Sequence, residues 1–315
     1  MKEQLDKLIT NVQSLIYIER RKLEYILAAM IAGGHVMLSD SHGVGKTSLV
    51  RALAASIQWK EGKGFNRVQC TVDLLPQDIL GYTRIAGDNL QMEFHKGPIF
   101  AHFLLCDEIN LLTPKTQGSF FQAMEEQQVT VEGVTHELEN PFFIMSTMNL
   151  KGAHLFPLPA PQLDRFMIQL SMGYPSLEDE KKIIHQHGHT KSWADFAPVM
   201  NVDELVSIMG KVDEVPLHED IVDYIARLLQ ATRQNSRLDT GASPRSGIKI
   251  SRMARALAIV RGLDYVSIDL IKELASPVLT HRLIPIDPDT KPELVLEEIM
   301  SNLKVDPQYS SVVRK

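Results

Sequence analysis

The residues with an evident chemical use begin in His35–Val50, HVMLSDSHGVGKTSLV. Val36, Met37 and Leu38 form an apolar run. The chain then turns through Asp40–Gly45, and Lys46-Thr47 opens a stretch with helical spacing. A strand, a glycine-bearing loop and a helix N-terminus together make an anion cradle, because backbone N–H groups and the positive helix end converge on one place. In the pattern G-x-x-x-x-G-K-[ST], the lysine reaches the β- and γ-phosphates of a nucleotide and the hydroxyl holds Mg²⁺. Gly45, Lys46 and Thr47 fit this pattern and Gly43 adds a second flexible point, but Asp40 stands where the first glycine belongs. The phosphate-binding set is therefore Gly43, Val44, Gly45, Lys46, Thr47 and Ser48.

A second constellation lies downstream. Phe103–Asp107 (FLLCD) is a continuous apolar run that closes on Asp107-Glu108. Such a strand end places one carboxylate on the Mg²⁺ shell and the other beside the γ-phosphate, where it orients or deprotonates water. Thr47 and Asp107 are then the metal ligands, and Glu108 the catalytic carboxylate. Pro141–Thr147 (PFFIMST) is a further apolar run ending at Met148-Asn149, and Asn149 can hydrogen-bond the attacking water or the γ-phosphate. Alone, Asp107-Glu108 would be two exposed acids and Asn149 a turn residue. The phosphate loop upstream gives all three a use.

Elements of a definite kind must position these groups. The 315 residues are 44% hydrophobic and 23% charged, an ordinary soluble composition with room for one large or two ordinary domains. The net charge of −6 and the absence of a long Lys/Arg run argue against nucleic acid as the main partner. Cys70 and Cys106 each lie in an apolar run and read as buried, reduced thiols. The N-terminus is charged and helical in pattern. The longest apolar stretch, Tyr25–Leu38, is broken by Gly33, Gly34 and His35, so a cytoplasmic protein without membrane insertion is expected.

Helical spacing covers about 3–18 and 20–32, the latter stopped by Gly33-Gly34, and resumes from Lys46 to about Ile57. Arg67–Thr71 is a short strand, Arg84–Phe100 a hairpin around Gly87–Asn89, and Val129–Leu138 a second hairpin around Glu132-Gly133. Pro114–Gln127 is helical, and a last strand, Met167–Ser171, follows Gln162–Phe166. After Gly173-Tyr174-Pro175 the strand-like runs end and six helical segments follow. The chain thus divides into an α/β domain over 1–175, with a parallel sheet, and an all-helical domain over 176–315.

With these pieces in order the chain resembles the MoxR family of AAA+ ATPases over nearly its whole length. The resemblance rests on LLPQDILG (Leu74–Gly81), KGPIF (Lys96–Phe100), LLCDEIN (Leu104–Asn110), PKTQ (Pro114–Gln117), AMEEQQVTVEG (Ala123–Gly133), PQLDRF (Pro161–Phe166), GASPR (Gly241–Arg245), ARALAIVRGLDYV (Ala254–Val266) and LTHRL (Leu279–Leu283). It implies a three-layer α/β/α P-loop domain with parallel strand order 5-1-4-3-2, followed by a helical lid, with ATP between the two. It implies Mg²⁺ as cofactor and assembly as a homo-oligomeric ring, usually hexameric. It also implies a protein client or adaptor, with a von Willebrand A domain as one candidate type. By the same likeness Lys46 and Thr47 match the Walker A residues, Asp107 and Glu108 the Walker B pair, and Asn149 the first sensor. Arg165 matches the arginine finger acting on a neighbour's ATP, and Arg245 the second sensor, which reports the γ-phosphate to the lid. A finger supplied in trans is worth about 10³–10⁵ in rate and makes turnover depend on assembly.

Three departures stand out. Asp40 replaces the first Walker glycine, with Ser41-His42 beside it; Leu111-Leu112 replace a usual Arg-Ala; Ala160 replaces a usual Glu. Asp40 puts a carboxylate near the phosphates, so slow hydrolysis is a plausible consequence unless its side chain points away. The expected activity is ATP-driven remodelling of client proteins. A nucleotide-switched scaffold with little turnover is the alternative, and a DNA-stimulated ATPase a weaker one. His185, His187 and His189 invite a metal site, but no carboxylate or cysteine completes the set and Gly188 should end the helix, so a solvated helix end is the plainer expectation.

Overall fold

The computed structural model describes residues 1–40, 43–60, 64–86, 91–149, 156–186, 193 and 195–303. In chain order the strands are β1 (His35–Ser39), β2 (Ile57–Gln58), β3 (Phe65–Gln69), β4 (Gly81–Ala86), β5 (Gln91–Lys96), β6 (Phe103–Asp107), β7 (Gln128–Val131), β8 (Val134–Glu137), β9 (Phe143–Met148) and β10 (Phe166–Leu170). Three short strands follow: β11 (Met200–Asn201), β12 (Leu238–Thr240) and β13 (Ile284–Pro285). The main sheet has five strands in the order β10-β1-β9-β6-β3, every pair parallel, which is the 5-1-4-3-2 order of the core strands.

The central strands are apolar on both sides because both faces of the sheet are covered. Alternate residues divide between two cores. Val36 and Leu38 of β1, Phe103 and Leu105 of β6, and Phe143 and Met145 of β9 join one core. Met37, Leu104, Cys106 and Ile144 face the other. On the first face lie α1 (Lys2–Gln13), α2 (Arg20–Ile31) and α3 (Lys46–Ala55). On the second lie α4 (Pro76–Leu80), α6 (Ser119–Glu126) and β7, with α5 (Pro114–Gln117) leading into α6. Both cysteines are buried there.

α1 ends five residues earlier than its apolar spacing suggests. Ser14 Oγ donates back to Asn11 O at 2.7 Å, a local bond that competes with continuation of the helix. Leu15–Glu19 then leave the helix and line a cavity beside the phosphate loop. The helix expected over Pro114–Gln127 is divided at Gly118 into α5 and α6. Both hairpins are present as β4–β5 and β7–β8, antiparallel; the expected turn at Gly87–Asn89 lies outside the described residues.

Among the described residues beyond Tyr174 the regular elements are helices, with two short pairings that depart from the all-helical expectation. β11 pairs parallel with β2, and β12 antiparallel with β13. The helix Leu177–Gln186 is opened by Ser176, whose Oγ accepts the Asp179 N–H at 3.2 Å. The helix Val202–Gly210 starts with a reciprocal cap: Asn201 Oδ1 accepts from Glu204 N–H at 2.9 Å and Glu204 Oε2 from Asn201 N–H at 2.8 Å. The long helix Pro244–Arg261 is stopped by Gly262 at φ 68° and packs on α2. Its Leu257 and the Tyr224 and Leu274 of neighbouring helices belong to the same core as α1, α2 and the sheet. Of the three histidines, only His185 lies within the described residues. No helix among the described residues is long and apolar enough to cross a membrane.

Candidate active site

Because all five strands run parallel, their C-terminal ends share one edge of the sheet, where open α/β sheets bind ligands. The register sets Ser39 against Met148 and Gln69 against Asp107, so the ends of β1, β9, β3 and β6 come together there. The phosphate loop leaves β1 at this edge. Gly43 and Gly45 hold φ 82° and 85°, left-handed values that a side chain would strain, and Gly45 caps α3. Lys46 is buried and its Nζ donates to Asp40 O at 2.7 Å. Desolvation lowers its pKa, against the opposing pull of Asp40, Asp107 and Glu108.

The Asp40 side chain turns away from the loop mouth. Its Oδ1 accepts from Ser171 Oγ at 2.6 Å and its Oδ2 from Met172 N–H at 2.5 Å. The carboxylate thereby fastens the start of the phosphate loop to the end of β10, while its charge still acts on Lys46. Of the other departures, Leu112 fills the second core and Ala160 is exposed at the start of α7 (Ala160–Leu163).

Asp107 gathers three donors. Thr147 Oγ1 donates to its Oδ1 at 2.6 Å; Thr47 Oγ1 and the Arg67 guanidinium donate to its Oδ2 at 3.0 and 2.7 Å. Desolvation raises the carboxyl pKa, but these bonds outweigh it and hold it below the ordinary value. Glu108 has φ 63°, a left-handed conformation that costs a non-glycine residue roughly 1–3 kcal/mol. Its N–H donates to Thr147 Oγ1 at 2.8 Å, which helps hold that conformation. Asn149 Nδ2 donates to Glu108 Oε1 at 2.8 Å, and Asn110 Nδ2 to Asn149 O at 2.7 Å. Lys46, Thr47, Asp107, Glu108 and Asn149 are thus assembled around one sheet edge. Thr47 and Asp107 offer adjacent hard oxygens, a donor set that suits Mg²⁺.

A cavity of about 560 Å³ opens beside this group, within the range of nucleotide-sized sites. Gly43–Gly45 and Ser48 form one wall, Leu15–Glu19 and Met172–Ser176 the others.

Arg67, Thr147 and Asn110 were not singled out from sequence. Thr147 and Asn110 lie within or next to the strand ends that were, so polarity at those ends was an available signal. Arg67 depends on the β3–β6 register, which no local pattern reports.

Arg165 and Arg245 lie elsewhere. Phe166 pairs with His35, at the starting ends of β10 and β1, whereas the phosphate loop leaves the finishing end. At about 3.3 Å per residue the strand separates the two edges by roughly 15 Å. Arg165 donates to Pro161 O at 2.5 Å and to Glu125 Oε2 at 3.2 Å, and lies over the Phe121 ring at 4.6 Å. Arg245 reaches the other oxygen of Glu125 at 3.5 Å and is 71% exposed. Both border a cavity of about 230 Å³ with His35 and Lys249. Arg245, expected as the second sensor of the γ-phosphate, accompanies Arg165 at the far edge, and Glu125 is the anion that offsets its place in a helix's first turn. His35 is buried between strand and helix: its Nδ1 accepts from Ile144 N–H at 3.0 Å, so Nε2 carries the proton toward Met124 O at 3.0 Å.

Comparison with known proteins adds a consistent context. Residues 35–168 match the family model described as the ATPase family associated with various cellular activities (AAA), and residues 230–301 match the AAA lid domain. The chain is 38% identical over 314 residues to the uncharacterized protein YeaC of Bacillus subtilis, covering 98% of this chain and 97% of that one. It is 33% identical over 322 residues to the chaperone MoxR1 of Mycobacterium tuberculosis, covering 98% and 84% respectively. A 2.00 Å crystal structure of an ATPase candidate from Cytophaga hutchinsonii superposes with a TM-score of 0.88 at 28% identity, covering 96% of this chain and 95% of that one.

Proposed function

The chain belongs to the MoxR-type AAA+ ATPases, and on that premise we propose that it hydrolyses ATP at the interfaces of a homo-oligomeric ring, usually hexameric in this family, to remodel or mature client proteins in the cytoplasm. The observation that carries this is the division of the machinery between two edges of one sheet. The phosphate loop, Asp107, Glu108 and Asn149 lie at one edge, and Arg165 with Arg245 roughly 15 Å away at the other. Arg165, fixed at the start of β10, is too far from its own chain's phosphate loop to act there, which supports a neighbouring copy as its target.

In this account the loop N–H groups and Lys46 hold the β- and γ-phosphates, with Lys46 exchanging its bond to Asp40 O for phosphate oxygens. Mg²⁺ held by Thr47 and Asp107 would neutralise developing charge on the phosphates. Glu108 accepts a proton from, or orients, the attacking water, and Asn149 fixes the carboxylate through Oε1. Arg165 of the neighbour stabilises the transferring phosphoryl group. The hairpins β4–β5 and β7–β8 carry the resulting motion to a client. The name of the mycobacterial relative, a chaperone, supports a protein client here.

The test is steady-state ATP hydrolysis by wild type and Glu108→Gln at the same concentration with Mg²⁺. A fall on the order of 10²-fold or more in the variant is expected, since a positioned base contributes about 10²–10⁴. Equal slow rates would favour the nucleotide-switched scaffold.

A further inference from the structure

Arg165 is gripped on both sides by the helical part of its own chain. Arg282 is buried, 6% exposed, in the short turn after the helix Ile268–Leu279. Its Nε donates to Asp164 Oδ1 at 2.7 Å, and one terminal nitrogen reaches Asp164 O at 3.2 Å and also Phe166 O. Its other terminal nitrogen donates to Val278 O. Lys249, one turn beyond Arg245 on the helix Pro244–Arg261, donates its Nζ to Asp164 O as well. The residues beside Arg165 are therefore held by cations from two parts of the lid: Asp164 by Lys249 and Arg282, and Phe166 by Arg282. A guanidinium is hard to bury, and it is stable here because the aspartate and three main-chain carbonyls occupy its fork. A staple serving only stability could sit anywhere along β10. This one closes on the residues that flank Arg165.

We infer that Arg282 and Lys249 are positioning residues for Arg165, clamping Asp164 and Phe166 so that the arginine offered to a neighbouring copy moves with the lid of its own chain. The inference rests on the reading of Arg165 as a finger acting in trans. It makes the LDRF and LTHRL stretches one mechanical unit: a shift of the lid in one protomer displaces the finger in the next protomer's site. A planar fork is needed, because a point charge cannot hold Asp164 Oδ1 and Phe166 O together.

The experiment uses full-length chains, alone and mixed in equal amounts. Arg282→Lys keeps the charge and loses the fork. A misplacement on the scale of 1 Å costs on the order of 10²-fold in rate, so kcat should fall by about that factor while KM for ATP and fluorescent-nucleotide binding stay at wild-type values. Glu108→Gln chains have a dead site but sound fingers, so mixing them with Arg282→Lys should restore hydrolysis several-fold. Mixing Arg282→Lys with Arg165→Ala, two chains with faulty fingers, should restore none. Lys249→Met, which spares the buried pair, should show the same pattern more weakly and serves if Arg282→Lys fails to fold. The control is Arg165→Ala mixed with Glu108→Gln. If that pair recovers activity and Arg282→Lys with Glu108→Gln does not, or if Arg282→Lys leaves kcat unchanged, the clamp is refuted. If the control pair itself does not recover, the trans finger is refuted and the clamp with it.

Discussion

Asp40 shows how a residue's identity and its direction are separate facts. By type and position it is a misplaced negative charge in a phosphate loop; by direction it is a fastener to Ser171 and Met172. Restoring the pattern glycine should therefore harm the protein. Asp40→Gly is expected to lower thermal stability, through loss of two hydrogen bonds to a carboxylate worth about 1.5–3 kcal/mol each at most, and to raise KM for ATP. Faster turnover with unchanged stability would contradict this. Thr147 makes the complementary case. Thr147→Val removes the donor to Asp107 and the acceptor for Glu108 N–H while keeping the shape. Turnover should drop about tenfold or more with nucleotide binding little changed, measured by single-turnover hydrolysis beside a binding titration. Lys46, Thr47, Asp107, Glu108 and Asn149 were legible because each sits at a strand end or loop whose local pattern announces it. Arg67 and Thr147 act through partners on adjacent strands, and register is a tertiary fact.

At the scale of elements, α2 and two lid helices are joined by one charged network. Arg261 meets Glu273 through two bonds, at 2.7 and 2.9 Å, and Glu24 at 3.0 Å; Tyr25 donates to Glu273 at 2.6 Å. The hydrogen bond from Arg261, opposed by burial and aided by Tyr25, holds the Glu273 carboxyl down at about 2 against an ordinary 4.5. A carboxyl whose folded pKa is depressed contributes stability above its unfolded pKa and loses it as pH falls through the folded one. That loss falls between about 4.5 and 2. His35, lowered from 6.5 to about 4 by burial, also destabilises in acid, but in the window between those values, where the unfolded chain takes up the proton first. Melting temperature should therefore fall as pH drops below about 6.5, with buried His281 adding to the loss, and Glu273→Gln should lower the plateau near neutrality and lessen the fall below about 4.5. A variant curve parallel to wild type throughout would contradict the assignment. Most element bounds were readable from spacing and caps: the helix Pro244–Arg261 runs from proline to the residue before Gly262, as its pattern indicates. The early end of α1 and the β2–β11 pairing were not, because one follows from a serine back-bond and the other from contacts between distant segments.

For the whole molecule, the apolar runs indicated a parallel sheet followed by a helical part, and the family resemblance supplied the strand order and the lid. Neither indicated the place of Arg245. Its distance from the phosphate loop along the chain carries no information about which edge it faces, and only the packing of the helix Pro244–Arg261 against α2 puts it beside Arg165 and Glu125. With Arg165 acting on a neighbour's nucleotide as proposed, catalysis becomes a property of neighbouring copies. This predicts that the rate of ATP hydrolysis per chain rises with protein concentration as assembly proceeds, tracked by mass measurement on the same samples, and that Arg165→Ala stays low at every concentration although it assembles. A rate per chain that holds constant down to concentrations where the protein is measured as a single chain would contradict the shared site.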